Sequence, residues 1–202
     1  MEKILAQAFK NSLSYSQYRD LVSTLISEGK STGNTQSEAL LHYSELNETR
    51  MNRLEKTIQI TDEVKSQLQS LQRNVTWLLL SEGWCGDAAQ LVPIIHKMAE
   101  VSDKIDLKIV LRDENDALMN EFLTNGARAI PKLIMIDSVT NEVIGEWGPR
   151  PEPARKLIAD YKATHGVVDE PAKIELQKWY LHDKGITTQN EIATLISEKV
   201  LV

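Results

Sequence analysis

Between residues 57 and 165, the chain alternates short apolar runs with stretches that carry apolar residues at helical spacing. The longest run, residues 75–80, is almost continuously apolar, as expected for a strand that is buried on both faces. Helices between consecutive strands imply parallel pairing in the first part, and a short turn at residues 139–141 implies an antiparallel pair at the end. The pattern therefore predicts an α/β fold with the order β-α-β-α-β-α-β-β-α.

The element bounds follow from the same pattern and from turn residues. The predicted strands cover residues 57–60, 75–80, 107–111, 132–136 and 143–147. Predicted helices follow Thr61 and Pro151 and also span residues 88–101 and 117–123, the last ending at an Asn-Gly pair, residues 125–126.

Residues 1–56 and the end of the chain are predicted to be helical additions. Capping boxes indicate three helix starts: Ser14 with Gln17, Thr35 with Glu38, and Thr188 with Glu191. We expect two packed helices before residue 57 and one or two after about residue 170. The predicted organisation is a helical extension (1–56), a central domain (57–165) and a second helical extension (166–202).

Composition excludes several classes of protein. The net charge is −6, with a pI of about 5.3 and no basic stripe, which argues against nucleic-acid binding. No run of about 18 apolar residues is present, so we expect no membrane span. The first residues become polar before a signal-peptide core is formed, and we expect a cytoplasmic location.

The chain has one cysteine, Cys85, which rules out an intrachain disulfide and fits a reducing compartment. The four histidines are scattered, so no cluster of metal ligands is expected. We predict that the protein needs no metal and no cofactor. The sequence leaves the oligomeric state open.

Three motifs carry a resemblance to thioredoxins. Residues 84–88, Trp-Cys-Gly-Asp-Ala, lie between a predicted buried strand and a helix and resemble the Trp-Cys-Gly-Pro-Cys loop. Residues 112–115 resemble the acidic segment after the next strand, and residues 129–131 stand in the place of the cis-proline loop. This resemblance covers about half the chain and implies a thioredoxin fold, a three-layer α/β/α arrangement with a mixed central sheet.

The whole chain is similar to bacterial thioredoxin-like proteins with helical additions, a group whose segments resemble residues 82–87 and 147–151. The resemblance implies that Cys85 is the nucleophile, that Trp84 and Gly86 shape the loop, and that a cis Pro131 exposes the backbone of Ile130 for a partner. The loop departs from the thioredoxin pattern at two positions. Ala88 replaces the resolving cysteine, and Asp87 replaces the usual proline.

These departures restrict the chemistry of Cys85. A helix N-terminus favours the thiolate, an ionised Asp87 disfavours it, and the sequence does not decide between them. Without a sulfur at Ala88, a mixed disulfide must be released by an outside thiol. A conventional dithiol thioredoxin is therefore excluded, and any enzymatic activity is at most that of a monothiol oxidoreductase.

Our first hypothesis is monothiol exchange between Cys85 and a protein or a low-molecular-weight thiol or disulfide. The alternative is a redox-inactive interaction module that keeps the fold as a scaffold. A third hypothesis is an iron–sulfur cluster, which would need a dimer and outside thiols as further ligands. We disfavour it because the loop resembles thioredoxin more than glutaredoxin.

Several neighbouring polar residues receive structural interpretations. We interpret residues 147–151 as a turn and helix start, with contact between Arg150 and the Cys85 loop as the less favoured alternative. Arg50 and Arg53 are expected to be solvated, with a reach towards Cys85 or Asp87 as the less favoured alternative. Glu82 is expected to be a solvated loop carboxylate, with a role as proton carrier as the less favoured alternative. His96 lies about three turns along the helix from Cys85, too far to act as its base.

Overall fold

The computed structural model describes residues 1–200, with the side chains of residues 1–198. The helices are α1 (Glu2–Lys10), α2 (Tyr15–Ser27), α3 (Glu38–Thr57), α4 (Asp62–Gln69), α5 (Gly86–Ala99), α6 (Asp116–Glu121), α7 (Glu152–His165), α8 (Glu170–Asp183) and α9 (Ile186–Val200), and a 3₁₀ turn covers Arg112–Glu114. The strands are β1 (Val75–Ser81), β2 (Ile105–Leu111), β3 (Lys132–Asp137) and β4 (Val143–Trp147).

The strands form one mixed sheet in the order β2-β1-β3-β4. β1 is parallel to β2 and antiparallel to β3, and β3 is antiparallel to β4. β3 is buried throughout, and β1 is buried except at Thr76, because helices cover both faces of these two central strands. The sheet with its flanking helices is the α/β thioredoxin fold with helical extensions that the sequence predicts.

The predicted strand over residues 57–60 is wrong. Thr57 ends α3, and the following residues form a connection whose backbone bonds to a side chain rather than to a strand. Gln189 of α9 donates to the carbonyl of Gln59 and accepts from the N–H of Thr61. Burial of Ile58 and Ile60 produces the alternation that resembles a strand.

The outer edge of β2 is instead covered by the segment between α1 and α2. Leu13 pairs with Ile109 through two backbone hydrogen bonds of 2.8 Å, in an antiparallel bridge. A one-residue bridge leaves no period in the sequence, and the sequence prediction contained neither this contact nor the separate helix α1.

Of the predicted helix starts, the capping box of Ser14 and Gln17 is confirmed, and Thr61 caps α4 as predicted. The start predicted at Thr35 is wrong, since Ser37 caps α3 by accepting from the N–H of Leu40. The box predicted at Thr188 is also wrong. This residue is buried inside α9, which begins at Ile186.

The prediction that residues 125–126 cap the helix before them is also wrong. α6 ends earlier, at Glu121, and Phe122 follows it as the C-cap. Asn125 and Gly126 both have positive φ and form the tip of a tight turn that is closed by bonds between Thr124 and Ala127. Asn and Gly adopt positive φ both in tight turns and in helix C-caps. An Asn-Gly pair therefore does not by itself distinguish a turn from a cap.

The helical additions surround the helix that follows Cys85. α3 packs along α5, and α9 packs against α4, α5 and β4. α8 reaches α5 through a 2.7 Å hydrogen bond between Gln177 and Gln90. The division at residues 56 and 165 remains a prediction. Within residues 1–200, no helix has both the length and the apolar character needed to cross a membrane.

Candidate functional site

Cys85 is the N-cap residue of α5, in the loop that follows β1. Its Sγ accepts a hydrogen bond from the N–H of Ala88 at 3.5 Å. Sγ also donates to the carbonyl oxygen of Ile130 at 3.4 Å. The loop therefore brings together Cys85, the position where the second cysteine is missing, and the segment before Pro131.

The Pro131 side of Cys85 is closed. The Ile130–Pro131 peptide bond is cis, both residues are buried, and the carbonyl of Ile130 is occupied by the thiol. The exposed Ile130 backbone that the resemblance implies is not found here. The role of Ile130 and Pro131 in partner docking remains a prediction.

The balance of effects on the Cys85 thiol is dominated by burial. Only 9% of the residue is exposed, and burial raises the pKa of the thiol to about 12. The charge of Asp87 also raises this pKa, while the N–H groups of Ala88 and Asp87 and the charge of Arg150 lower it. The thiol is thus protonated at neutral pH, which agrees with its role as donor to Ile130.

Asp87 is held by two residues from distant parts of the chain. Arg150 contacts Oδ2 through Nη2 at 2.6 Å and Nε at 2.8 Å, and the hydroxyl of Tyr180 donates to Oδ1 at 2.8 Å. The interpretation of residues 147–151 as turn chemistry alone is therefore wrong, because Arg150 faces the Cys85 loop. Tyr180 lies 93 positions from Asp87, and no local sequence signal connects them.

Trp84 is half-buried next to Cys85. The guanidinium carbon of Arg112 lies 4.7 Å from the centroid of its ring, a cation–π contact, while Arg112 also pairs with Asp113. The acidic segment predicted after β2 thus packs against the Cys85 loop.

The prediction of a solvated Glu82 is wrong, because this residue is fully buried. Its Oε1 accepts from the N–H of Asp113 at 2.9 Å, and Oε2 has no hydrogen-bond partner within the described residues. Burial raises the pKa of this carboxyl to about 7, against the lowering effect of the hydrogen bond from the N–H of Asp113. None of the recorded hydrogen bonds links its carboxyl to Cys85.

The other side of Cys85 opens into a groove of about 710 Å³ between α3, residues 84–87 and α8, which we name the Cys85 groove. Arg50 of α3 lines it, so the expectation that Arg50 is simply solvated is wrong. Arg53, one turn further along α3, is exposed as expected. His96 stacks on Tyr15 at a centroid distance of 3.8 Å and does not line the groove.

The fold and the loop together define the class: a thioredoxin-type domain with one cysteine at the N-terminus of α5. A thioredoxin family model matches residues 33–162, well over half of the chain. The protein therefore belongs to the thioredoxin family. The match begins before α3, so it includes one helix that the sequence interpretation assigned to the N-terminal extension.

The solved structures that are similar to this chain are distant from it in sequence. A protein of unknown function from Pseudomonas aeruginosa is 15% identical, with a TM-score of 0.55 over 92% of this chain and 98% of the other. An HIV epitope scaffold is also 15% identical, with a TM-score of 0.56 over 92% of this chain and 99% of the other. Part of the alkyl hydroperoxide reductase AhpF from Enterococcus faecalis is 17% identical over 48% of this chain and 45% of the other, with a TM-score of 0.39. Among curated proteins, none matches the sequence.

Proposed function

We propose that this protein is a monothiol member of the thioredoxin family, in which Cys85 forms a mixed disulfide with a thiol or disulfide partner in the cytoplasm. The observation that carries the proposal is the position of Cys85. It is the N-cap of α5, and it lines a groove that is large enough for a partner group.

The surroundings of Cys85 suit exchange with one sulfur. Ala88 N–H donates to Sγ, and a thiolate at this position would keep that bond and gain from the N-terminal end of α5. Arg150 pairs with Asp87 and Tyr180 donates a hydrogen bond to it, and the positive charge of Arg150 offsets part of its opposition to a negative sulfur. Ala88 provides no second thiol, so the adduct persists until another thiol arrives.

The exchange is balanced in two steps. The thiolate of Cys85 attacks one sulfur of a partner disulfide, so one S–S bond forms as another breaks, and the leaving thiolate takes up the proton that Cys85 lost. An outside thiol then attacks the partner sulfur of the mixed disulfide. The Cys85 thiolate is released and is protonated, and the outside thiol and the partner sulfur leave joined as a disulfide. Electrons pass from the outside thiol to the partner disulfide, with no other oxidant or reductant.

A second candidate, the redox-inactive interaction module, is favoured by one observation. The thiol is almost fully buried and burial raises its pKa to about 12, so it is protonated at neutral pH. In this case the groove would serve recognition alone.

One experiment separates the two candidates. Native wild-type protein and Cys85→Ser are incubated with bis(2-hydroxyethyl) disulfide from pH 7 to 9, and the intact mass is followed. We expect one adduct on the wild type only, a rate that rises about tenfold per pH unit because the raised pKa lies above this range, and removal of the adduct by 2-mercaptoethanol.

The contrary result has a matched control. If the native wild type stays unmodified for hours while the urea-unfolded wild type reacts at once, the thiol is intact but closed off. That outcome would exclude monothiol exchange and leave the interaction module.

A further inference from the structure

Two nitrogen donors flank the residue that follows Cys85. A Cβ atom placed on Gly86 would lie 3.6 Å from Nη1 of Arg50 and 4.0 Å from Nε2 of Gln177. Arg50 comes from α3 and Gln177 from α8, so two helices from distant parts of the chain converge here. Both donors therefore lie one residue from the thiol, inside the Cys85 groove.

Both donors are held in position by their neighbours. Asn47 is buried, donates to the carbonyl of Gly83 at 2.9 Å, and accepts from Nη1 of Arg50 at 2.8 Å. The amide oxygen of Gln177 accepts from Gln90 at 2.7 Å, which leaves its Nε2 on the side of Gly86. A guanidinium and an amide nitrogen offer N–H groups only, so the ligand group that suits this pair is an acceptor.

The charge balance of the groove makes that acceptor an anion. Three of its cations already form ion pairs: Arg150 with Asp87, Lys173 with Glu170, and Lys178 with Glu175. Arg50 forms no ion pair with a described residue; its recorded partner is the neutral Asn47. Burial and the charge of Arg53 lower the pKa of Arg50, with Asp87 opposing them to a smaller extent, so its positive charge is incompletely compensated.

The walls of the groove are apolar and open. Three aliphatic side chains on its walls are unusually exposed, namely Leu46 at 40%, Ile174 at 52% and Leu181 at 53%. A volume of about 710 Å³ lies within the usual range for small-molecule sites, roughly 300–1,000 Å³. An acidic group beside Cys85 and hydrocarbon between these walls would satisfy both parts of the groove.

We propose that the Cys85 groove binds a low-molecular-weight thiol or disulfide that carries a carboxylate, with the carboxylate on Arg50 and Gln177 and a short hydrocarbon segment between the apolar walls. The covalent step rests on the proposed function, and follows the same exchange of S–S bonds, whereas the binding step does not need a reactive sulfur. Because the whole chain is acidic at −6, a preference for anions must come from the groove itself.

The first test compares three disulfides of similar size and different charge. These are 3,3′-dithiodipropionate (anionic), bis(2-hydroxyethyl) disulfide (neutral) and cystamine (cationic), each followed by intact mass at low ionic strength. Each rate is divided by the rate of the urea-unfolded protein with the same reagent, because the three leaving thiols differ in intrinsic reactivity. We expect this normalised rate to be roughly tenfold higher for the anionic reagent than for the cationic one. The ratio of rates is the readout, because a substitution that only changes the thiol alters all three rates together.

Matched variants of α3 identify the origin of the ratio. Arg50→Gln is expected to bring the ratio near one, while Arg53→Gln, which removes an exposed arginine from the same helix, is expected to keep it. Equal normalised rates in the wild type, a higher normalised rate for the cationic reagent, or a ratio that survives Arg50→Gln would each overturn the inference.

The second test removes the sulfur. In Cys85→Ser, titration with 3,3′-dithiodipropionate should shift the amide resonance of Gly86, cystamine should not, and the further substitution Arg50→Gln should abolish the shift. Such binding in a protein whose wild type forms no adduct would refute the proposed exchange and support the carboxylate site. A Gly86 resonance that does not respond to the anion would overturn the site even where Cys85 reacts.

Discussion

Cys85 has a closed side and an open side, and the two are built from different parts of the chain. The closed side holds Ala88, Ile130 and Pro131, which are all buried, and Glu82 lies buried in the same loop. The open side is the Cys85 groove, and helices α3 and α8 of the additions form its walls. The loop after β1 thus positions the sulfur, while two helices outside the sheet form the walls of the groove beside it.

The contrast between the closed and the open side shows that helices outside the sheet are part of the site. Arg50 and Tyr180 lie on helices outside the sheet, and each contacts the loop of residues 85–87 or its immediate surroundings. The structure also explains why the Pro131 side offers no free carbonyl, since the thiol of Cys85 already donates to Ile130.

The largest effect is expected on the closed side, from Ala88→Cys. The N–H of Ala88 already lies 3.5 Å from Sγ of Cys85, so a thiol at this position can attack a mixed disulfide within the same loop. The lifetime of an adduct with bis(2-hydroxyethyl) disulfide should fall at least about a hundredfold, and an intramolecular disulfide should form, two mass units below the dithiol. Ala89→Cys is the matched control. A stable adduct on both variants would contradict the geometry.

On the open side, Asp87→Asn is expected to lower the free energy of unfolding by about 3 kcal/mol, because the largely buried Arg150 loses its carboxylate. The pKa of Cys85 should fall at the same time, because the negative charge that helps to raise it is removed. Denaturant unfolding and the pH dependence of thiol modification give the two readouts. Asp160→Asn, at an exposed ion pair, is the control. An unchanged or higher thiol pKa would show that the charge of Asp87 is already cancelled.

On the closed side, the buried carboxyl of Glu82 is expected to make the free energy of unfolding depend on pH. Its pKa rises from the usual 4.5 to about 7 on folding, so the native state favours the protonated form. The contribution to stability is complete below pH 4.5 and is lost as the pH rises through 7, by about 3 kcal/mol in all. Chemical denaturation of wild type and Glu82→Gln at several pH values should show this difference in slope. Parallel curves would contradict the raised pKa.

The smallest effect is expected from Tyr180→Phe, which removes one hydrogen bond to Asp87 at the contact between α8 and the loop. We expect a loss of about 1 kcal/mol in unfolding free energy, because a buried hydrogen bond between α8 and the Cys85 loop is removed. Tyr161→Phe removes a similar bond to Asp169 between exposed groups and should change little. Equal losses of unfolding free energy in the two variants would show that the bond from Tyr180 to Asp87 contributes no more to stability than an exposed bond.

The sequence predicts the sheet better than the site. The apolar run before Cys85 and the hairpin after Pro131 are local patterns, and the structure places β1, β3 and β4 there within one residue of each predicted end. The segment at residues 57–60 misled the prediction because Ile58 and Ile60 are buried by helices, and alternation reports burial, not strand pairing. Arg150 and Gln177 could not be placed at the loop, because a contact across 63 or 87 positions leaves no mark in a single sequence.

The prediction that two charged residues near the site are solvated is wrong for a related reason. Glu82 and Arg50 have the composition of surface residues, and most such residues are solvated. Their burial depends on Asp113 and Asn47, partners that the tertiary fold provides. Among the effects on the Cys85 thiol, the local sequence predicts the helix N-terminus, and burial outweighs its effect on the thiol pKa.

The most direct test of the account is the position of a group that is joined to Cys85. The mixed disulfide with 2-mercaptoethanol is prepared on the wild type, and nuclear Overhauser contacts are recorded from its methylene protons. The account predicts contacts to methyl groups of Leu46, Ile174 or Leu181, on the walls of the groove. Contacts to Ile130 in place of these methyl groups would show that the closed side opens, and would contradict the account.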